Sequence, residues 1–218
     1  MIFKKFTPII LVLLIFFAGI FVSQHILKSS RKLKIFNPAD INPALVDSSL
    51  RSLNKFHRIA DFELINQEGK IISQKNFDGK IYVADFFFTT CPSICPKMST
   101  QMQRVYEKFF DNENVLILSH TVMPEVDSVP VLAEYAKKYN ADSKKWFFVT
   151  GEKKKIYELA RKSYFAVNNE GSGDEHDFIH TENFILVDKN RRIRGFYDGT
   201  SPEDVDRLIE ETGILLNE

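Results

Sequence analysis

Lys80-Ile81-Tyr82-Val83-Ala84-Asp85-Phe86-Phe87-Phe88-Thr89-Thr90-Cys91-Pro92-Ser93-Ile94-Cys95-Pro96 contains both cysteines of a 218-residue chain. Its first half is almost continuously apolar, β-branched or aromatic, the pattern of a central strand covered on both faces. The segment from Lys97 to Tyr106 then reads as a helix, with Met98, Met102, Val105 and Phe109 spaced to share one face. The thiols therefore fall at a strand-to-helix junction, close to a helix N-terminus, where the macrodipole favours thiolate over thiol. Two cysteines spaced C-x-x-x-C cannot make the disulfide framework of a small secreted domain. They read as a chemical site, for a soft metal or for dithiol exchange. The plain alternative is a static disulfide or a pair of small core residues.

The flanking segments predict an α/β protein. Residues 62–66 and 70–74 alternate around Gln67-Glu68-Gly69, the signature of a β-hairpin. Residues 114–122 predict the next strand. Asp127-Ser128-Val129-Pro130 predicts a helix start, with Asp127 or Ser128 as cap and the proline in the first turn. Residues 146–151 read as a strand and 153–164 as a helix. Two further strands, 182–188 and 193–197, are joined by Lys189-Asn190-Arg191-Arg192. Ser201-Pro202-Glu203-Asp204 caps a last helix that runs to about Thr212. This order predicts a thioredoxin-like fold with an N-terminal β-hairpin and an inserted helix.

Residues 6–27 carry no Asp, Glu, Lys or Arg, and this run of 22 matches the roughly 20 residues a helix needs to cross a hydrocarbon core. Lys4 and Lys5 would also suit a cleaved signal peptide. The length of the run, with no A-x-A-like site and no lipobox cysteine, favours a retained transmembrane helix. The organisation is then a cytoplasmic N-terminus (1–5), an anchor (6–27), a juxtamembrane connector (28–56) and the thioredoxin-like domain (57–218). Turn signals at Asn37-Pro38 and Asn42-Pro43, and a short apolar helix over 44–50, predict a connector that packs on something. Lys28, Arg31, Lys32 and Lys34 outnumber Lys4 and Lys5, so the positive-inside count slightly favours keeping the domain in the cytoplasm. Acidic and basic residues balance at 29 each, which leaves no global field to draw nucleic acid.

Three residues between the cysteines place the sulfurs one helical turn apart, so that both can face one ion. Dithiol oxidoreductases of the thioredoxin type have C-x-x-C and a cis-proline facing it, before the strand that enters the final hairpin. Here no proline stands between Val131 and Ser201, and Phe178-Ile179-His180-Thr181 takes the corresponding place. Two thiolates and an imidazole make a soft, low-coordinate set suited to copper, which cysteine ligands select as Cu(I).

The stretch Asp85 to Pro96, with His180 ahead of a late strand, resembles the Sco/SenC family over about residues 57–212. Members are membrane-anchored thioredoxin-fold copper chaperones for assembly of the copper site of cytochrome c oxidase. The resemblance implies copper, as Cu(I) or Cu(II), held by Cys91, Cys95 and His180. It also implies a single-pass membrane protein whose C-terminal domain lies in the periplasm or intermembrane space, against the charge count. The partner it implies is the copper-receiving oxidase subunit or another copper chaperone. One departure is Val122-Met123-Pro124-Glu125 where the family usually reads Asp-Pro-Glu, so Met123 removes a carboxylate near the site.

Other residues carry weaker signals. His176 lies in an acidic loop and His120 at a strand end near the site rim, and both read as structural or solvated before they read as ligands. His25 falls in the anchor and His57 at the boundary of connector and domain, and neither receives a role. Asp85 occupies the place of a buried acid that could tune the thiols or simply be a hydrogen-bonded structural group. The functional expectation is a copper-binding chaperone with thiol-redox capability. The alternative is a membrane-tethered thiol–disulfide reductase using the Cys91–Cys95 pair, and a peroxidase-like thiol enzyme is disfavoured for want of an activating arginine.

Overall fold

The computed structural model describes residues 11–20, 32–46, 50–167, 171, 174 and 176–218. Residues 11–20 are helical with every side chain exposed. Among the described residues no helix is long and apolar enough to cross a membrane, and the rest of the predicted span 6–27 lies outside them, as does His25.

Seven strands form one mixed sheet. They are β1 (Glu63–Asn66), β2 (Ile71–Ser73), β3 (Ile81–Phe87), β4 (Val115–Thr121), β5 (Trp146–Thr150), β6 (Asn183–Val187) and β7 (Ile193–Asp198), in the spatial order β2-β1-β5-β4-β3-β6-β7. Strands β3, β4 and β5 run parallel, and β6 and β7 return antiparallel beside β3. The hairpin β1–β2 adds to the far edge through β5. β3 is central and buried at every position because helices or turns cover both of its faces. On one face Ile81, Val83 and Phe87 pack with α1 (Ile94–Lys108), α2 (Val129–Lys138) and α4 (Pro202–Leu216). On the other, Tyr82, Ala84 and Phe86 pack with α3 (Lys153–Glu158) and the connector residues Ile41 and Val46. This is the thioredoxin-like arrangement with its added hairpin.

Two details depart from the sequence reading, and one choice it left open is settled. The helix predicted over 153–164 stops at Glu158 and continues as a π-turn, Leu159–Ser163. The extra residue in that turn shifts the helical phase, so Leu159, Ala160, Arg161 and Ser163 are all buried. The last helix passes Gly213 and ends at Leu216, because Ile214 and Leu215 are buried. Their burial, about 1.5–3 kcal/mol per side chain, outweighs the roughly 1 kcal/mol that a mid-helix glycine costs. Asp127 does not cap α2: Ser128 is the N-cap residue, and Asp127 turns inward.

The connector lies on the domain. Phe36 bridges to Ile193 on the β7 edge, its N–H donating to the Ile193 carbonyl at 2.9 Å. The buried Arg194 guanidinium donates to the Leu33 and Lys34 carbonyls and pairs with Asp188 at 3.0 Å and Glu218 at 2.7 Å. These contacts cover an edge strand that would otherwise present unpaired backbone groups.

Candidate metal and thiol site

Both cysteines are unbridged and buried at the C-terminal end of β3, at 7% and 3% exposure for Cys91 and Cys95. The Ser93 side chain makes no capping hydrogen bond to α1. The Cys91 sulfur takes that place, accepting from the Cys95 N–H at 3.3 Å. Burial pushes the Cys91 thiol up, but the N–H groups of Cys95, Ser93 and Ile94 and the Cys95 thiol outweigh it and hold it below the ordinary range. Burial pushes the Cys95 thiol up to about 12, with Cys91 and Asp85 adding to the rise and a hydrogen bond from the Phe88 backbone opposing it. Cys91 is thus the more acidic thiol of the pair, and Cys95 holds its proton more tightly.

The loop that carries Cys91 is braced from below. The Thr89 N–H donates to the fully buried Asp127 at 3.2 Å, and the hydroxyls of Thr89 and Thr121 donate to the same carboxylate. Asp127 therefore ties the cysteine loop to the end of β4. Met123 follows on that strand end, half-buried, its N–H donating to the Thr121 hydroxyl at 3.0 Å.

His180 stands exposed in the stretch between the loop and β6. The residues just before it are pinned to the domain on three sides. Phe178 meets Phe88, three residues before Cys91, edge to face at 5.4 Å. Ile179 is buried, and its backbone hydrogen-bonds the Tyr157 hydroxyl, which itself donates to the Val122 carbonyl at 2.9 Å. Asp177 accepts two hydrogen bonds from Arg161, at 2.7 and 2.8 Å. Cys91 and Cys95 are brought together. His180 is brought to the same end of the sheet but not into their group, and among the described residues no three His, Cys, Asp or Glu side chains are gathered as a metal site.

The remaining candidates separate clearly. Asp85 lies on the cysteine face of β3, and burial pushes its carboxyl up to about 7 against a hydrogen bond from Ser119. His120 lies on the opposite face, stacked on Phe86 at 4.7 Å with Phe62 and Tyr164 around it. Burial lowers it to about 4 and keeps it neutral, with Nδ1 3.2 Å from the Asp85 carbonyl oxygen. It is a core residue rather than a rim residue. His57 Nε2 lies 2.8 Å from the Ser163 carbonyl oxygen and its ring packs on Phe165, a structural contact. His176 is exposed, its N–H donating to the Asp174 carboxylate at 3.0 Å. Sequence reasoning missed Asp127, Tyr157 and the Arg161–Asp177 pair. The one signal, an acid before a helix, points to a local cap as readily as to a long-range brace.

The sheet order and the thiol pair at a strand–helix junction define a thioredoxin-like α/β protein with a reactive cysteine site. The sequence profile of the family described as SCO1/SenC matches residues 51–214, and the chain belongs to that family. It is 32% identical over 157 residues to the SCO1 protein homolog of Bacillus subtilis, covering 71% of this chain and 81% of that one. It superposes on BsSco with a TM-score of 0.62 and 32% identity, covering 72% and 92% of the two chains. That protein is described as a member of the Sco family of cytochrome c oxidase assembly proteins with a disulfide switch. Arabidopsis thaliana ScoI, solved with copper bound, matches with a TM-score of 0.55 and 27% identity over 72% of this chain and 96% of that one.

Proposed function

We propose that this protein is a copper chaperone of cytochrome c oxidase assembly, binding copper through the thiolates of Cys91 and Cys95 and the imidazole of His180. The observation that carries the reading is the free thiol pair on the first turn of α1, with Cys95 N–H aimed at the Cys91 sulfur and the His180 segment docked on Phe88 beside it. Two soft sulfur donors suit Cu(I), and an added imidazole extends the set to Cu(II). The copper bound by Arabidopsis thaliana ScoI and the assembly role of BsSco support the same cargo and task here. The receiving partner is the copper subunit of the oxidase or another chaperone. Residues 6–27 serve as the anchor, and the domain works in the periplasm or intermembrane space.

A second reading, thiol–disulfide reductase for the partner's copper-ligand cysteines, is favoured by the unequal thiols. A depressed Cys91 beside a raised Cys95 is the pattern of an attacking thiolate with a resolving partner. The two roles exclude each other at any instant, because a Cys91–Cys95 disulfide has no thiolate left for copper.

Copper titration of the reduced full chain tests the chaperone reading. One ion binds per chain, and the Cu(II) form has a sulfur-to-copper charge-transfer band in the visible range. Oxidation to the disulfide abolishes both. Stoichiometric binding that survives in the double variant Cys91→Ser, Cys95→Ser overturns the assignment.

A further inference from the structure

Arg161 and Asp177 form a two-pronged ion pair whose side chains are only 6% and 10% exposed. The sequence offers no local reason to bury a charge there. The π-turn Leu159–Ser163 turns Arg161 inward, toward the loop that precedes β6, and the Tyr157 ring packs on the guanidinium at 5.4 Å. Asp177 is held from its own side as well, since the Asp174 carboxylate accepts from the Asp177 N–H at 3.0 Å. Gly171 closes the outside of the pair. Its φ of +110° is open to glycine, and a Cβ built on it would meet Arg161 Nη2 and both Asp177 carboxylate oxygens at 2.6 Å. The bidentate fork fixes direction as well as distance.

Asp177 lies three residues before His180. Beyond His180, the Thr181 side chain is 7% exposed and its hydroxyl accepts from the Asn183 N–H at 3.1 Å, where β6 begins. The Glu182 carbonyl accepts from the Gly199 N–H at 2.7 Å. His180 is therefore an exposed residue on a short span pinned at both ends, on one side by Arg161 and Phe88 and on the other by β6. A ligand on such a span reaches the thiols with little conformational entropy left to lose, whereas the same ligand on a loose loop must lose it on binding.

We propose that the Arg161–Asp177 pair is the positioning device for His180, setting the reach of its imidazole toward Cys91 and Cys95 and hence the preference of the site for Cu(II). Neither residue touches the metal. The inference rests on the copper reading above, in which His180 is the third ligand. Gly171 is part of the device, because its missing side chain is what leaves room for the pair beside it.

The test measures Cu(I) and Cu(II) affinity separately, with the charge-transfer band, in the full-length chain and in Asp177→Asn, Arg161→Lys and Gly171→Ala. Loss of an outer-shell partner weakens metal affinity roughly 10–100-fold. That loss is expected for Cu(II) in all three variants, with a shifted or weakened band, while Cu(I) on two thiolates changes less than about threefold. The charge-reversed pair, Arg161→Asp with Asp177→Arg, recovers part of the Cu(II) affinity. A parent-like circular dichroism spectrum and urea denaturation midpoint report that each variant has kept its fold, and Gly171→Ala leaves both charges in place should the others fail to fold. Equal losses of Cu(I) and Cu(II), or no change in either, overturns the proposal while the copper reading stands. Copper bound independently of the cysteines overturns both, and Cu(II) affinity unchanged in His180→Ala leaves the pair nothing to position and overturns it too.

Discussion

Cys91 and Cys95 differ by a single helical turn yet meet opposite electrostatics. Cys91 sits where the first N–H groups of α1 converge, and Cys95 lies deeper, facing Asp85. Cys91 therefore gives up its proton more readily than Cys95, and any metal that takes both sulfurs must displace the Cys95 proton. His180 is the residue that separates a chaperone from a reductase, because disulfide exchange needs no imidazole. His180→Ala should weaken Cu(II) binding by at least about tenfold and bleach the charge-transfer band, with Cu(I) binding and reductase turnover little altered. His176→Ala should match the parent protein, since His176 stands in the loop four residues earlier. If instead His176→Ala removes Cu(II) and His180→Ala does not, the ligand is in the loop rather than at the strand entrance.

At the scale of the elements, the site is a junction of three pieces: the end of β3, the first turn of α1 and the end of β4. Asp127 joins the first and last of these through Thr89 and Thr121. Removing the carboxylate leaves the half-buried Thr89 N–H and two hydroxyls without that acceptor, each worth on the order of 1–3 kcal/mol if no water replaces it. Asp127→Ala is expected to cost about 2–5 kcal/mol in chemical denaturation, at the severe end for a single substitution. It should also weaken Cu(I) and Cu(II) together, because the loop carrying Cys91 loosens. That common loss distinguishes it from changes around His180, which fall on Cu(II) alone. A native-like denaturation midpoint in Asp127→Ala would remove the brace from this account.

Across the whole molecule, two buried titratable groups lie on opposite faces of neighbouring strands. Asp85 keeps its proton in the folded protein up to about pH 7, against 3.8 as its ordinary value, so its contribution to stability falls as pH rises through that interval. His120 stays neutral down to about pH 4, against an ordinary 6.5, so between those limits the unfolded chain holds the extra proton and stability rises with pH. Each slope is at most about 1.4 kcal/mol per pH unit, and between pH 4 and 6.5 they cancel. Asp85→Asn removes one of them. Relative to the parent, its stability should climb with pH across that window when measured by urea denaturation at several pH values. Parallel pH profiles for the two proteins would show that Asp85 already titrates near its ordinary value in the fold.

Local pattern was enough for most of the architecture. The apolar run of β3, the alternating hairpin, the amphipathic spacing of α1 and the two thiols at the first helical turn each depend on neighbours within a few residues. The distal histidine was legible only through its place in the thioredoxin-like chain order and through the family resemblance, since nothing in its own surroundings marks it. What tertiary structure decided are the contacts that join distant segments. Asp127 reads as a helix cap until Thr89 is brought beneath it, 38 residues away along the chain. Arg161 lies in a stretch that reads as ordinary helix until a π-turn rotates it toward Asp177, and the last helix reads as ending near Thr212 until Ile214 and Leu215 find a core to enter. Propensity acts over one or two turns of chain, whereas a buried charge or a helix end is settled by the partner that packing delivers.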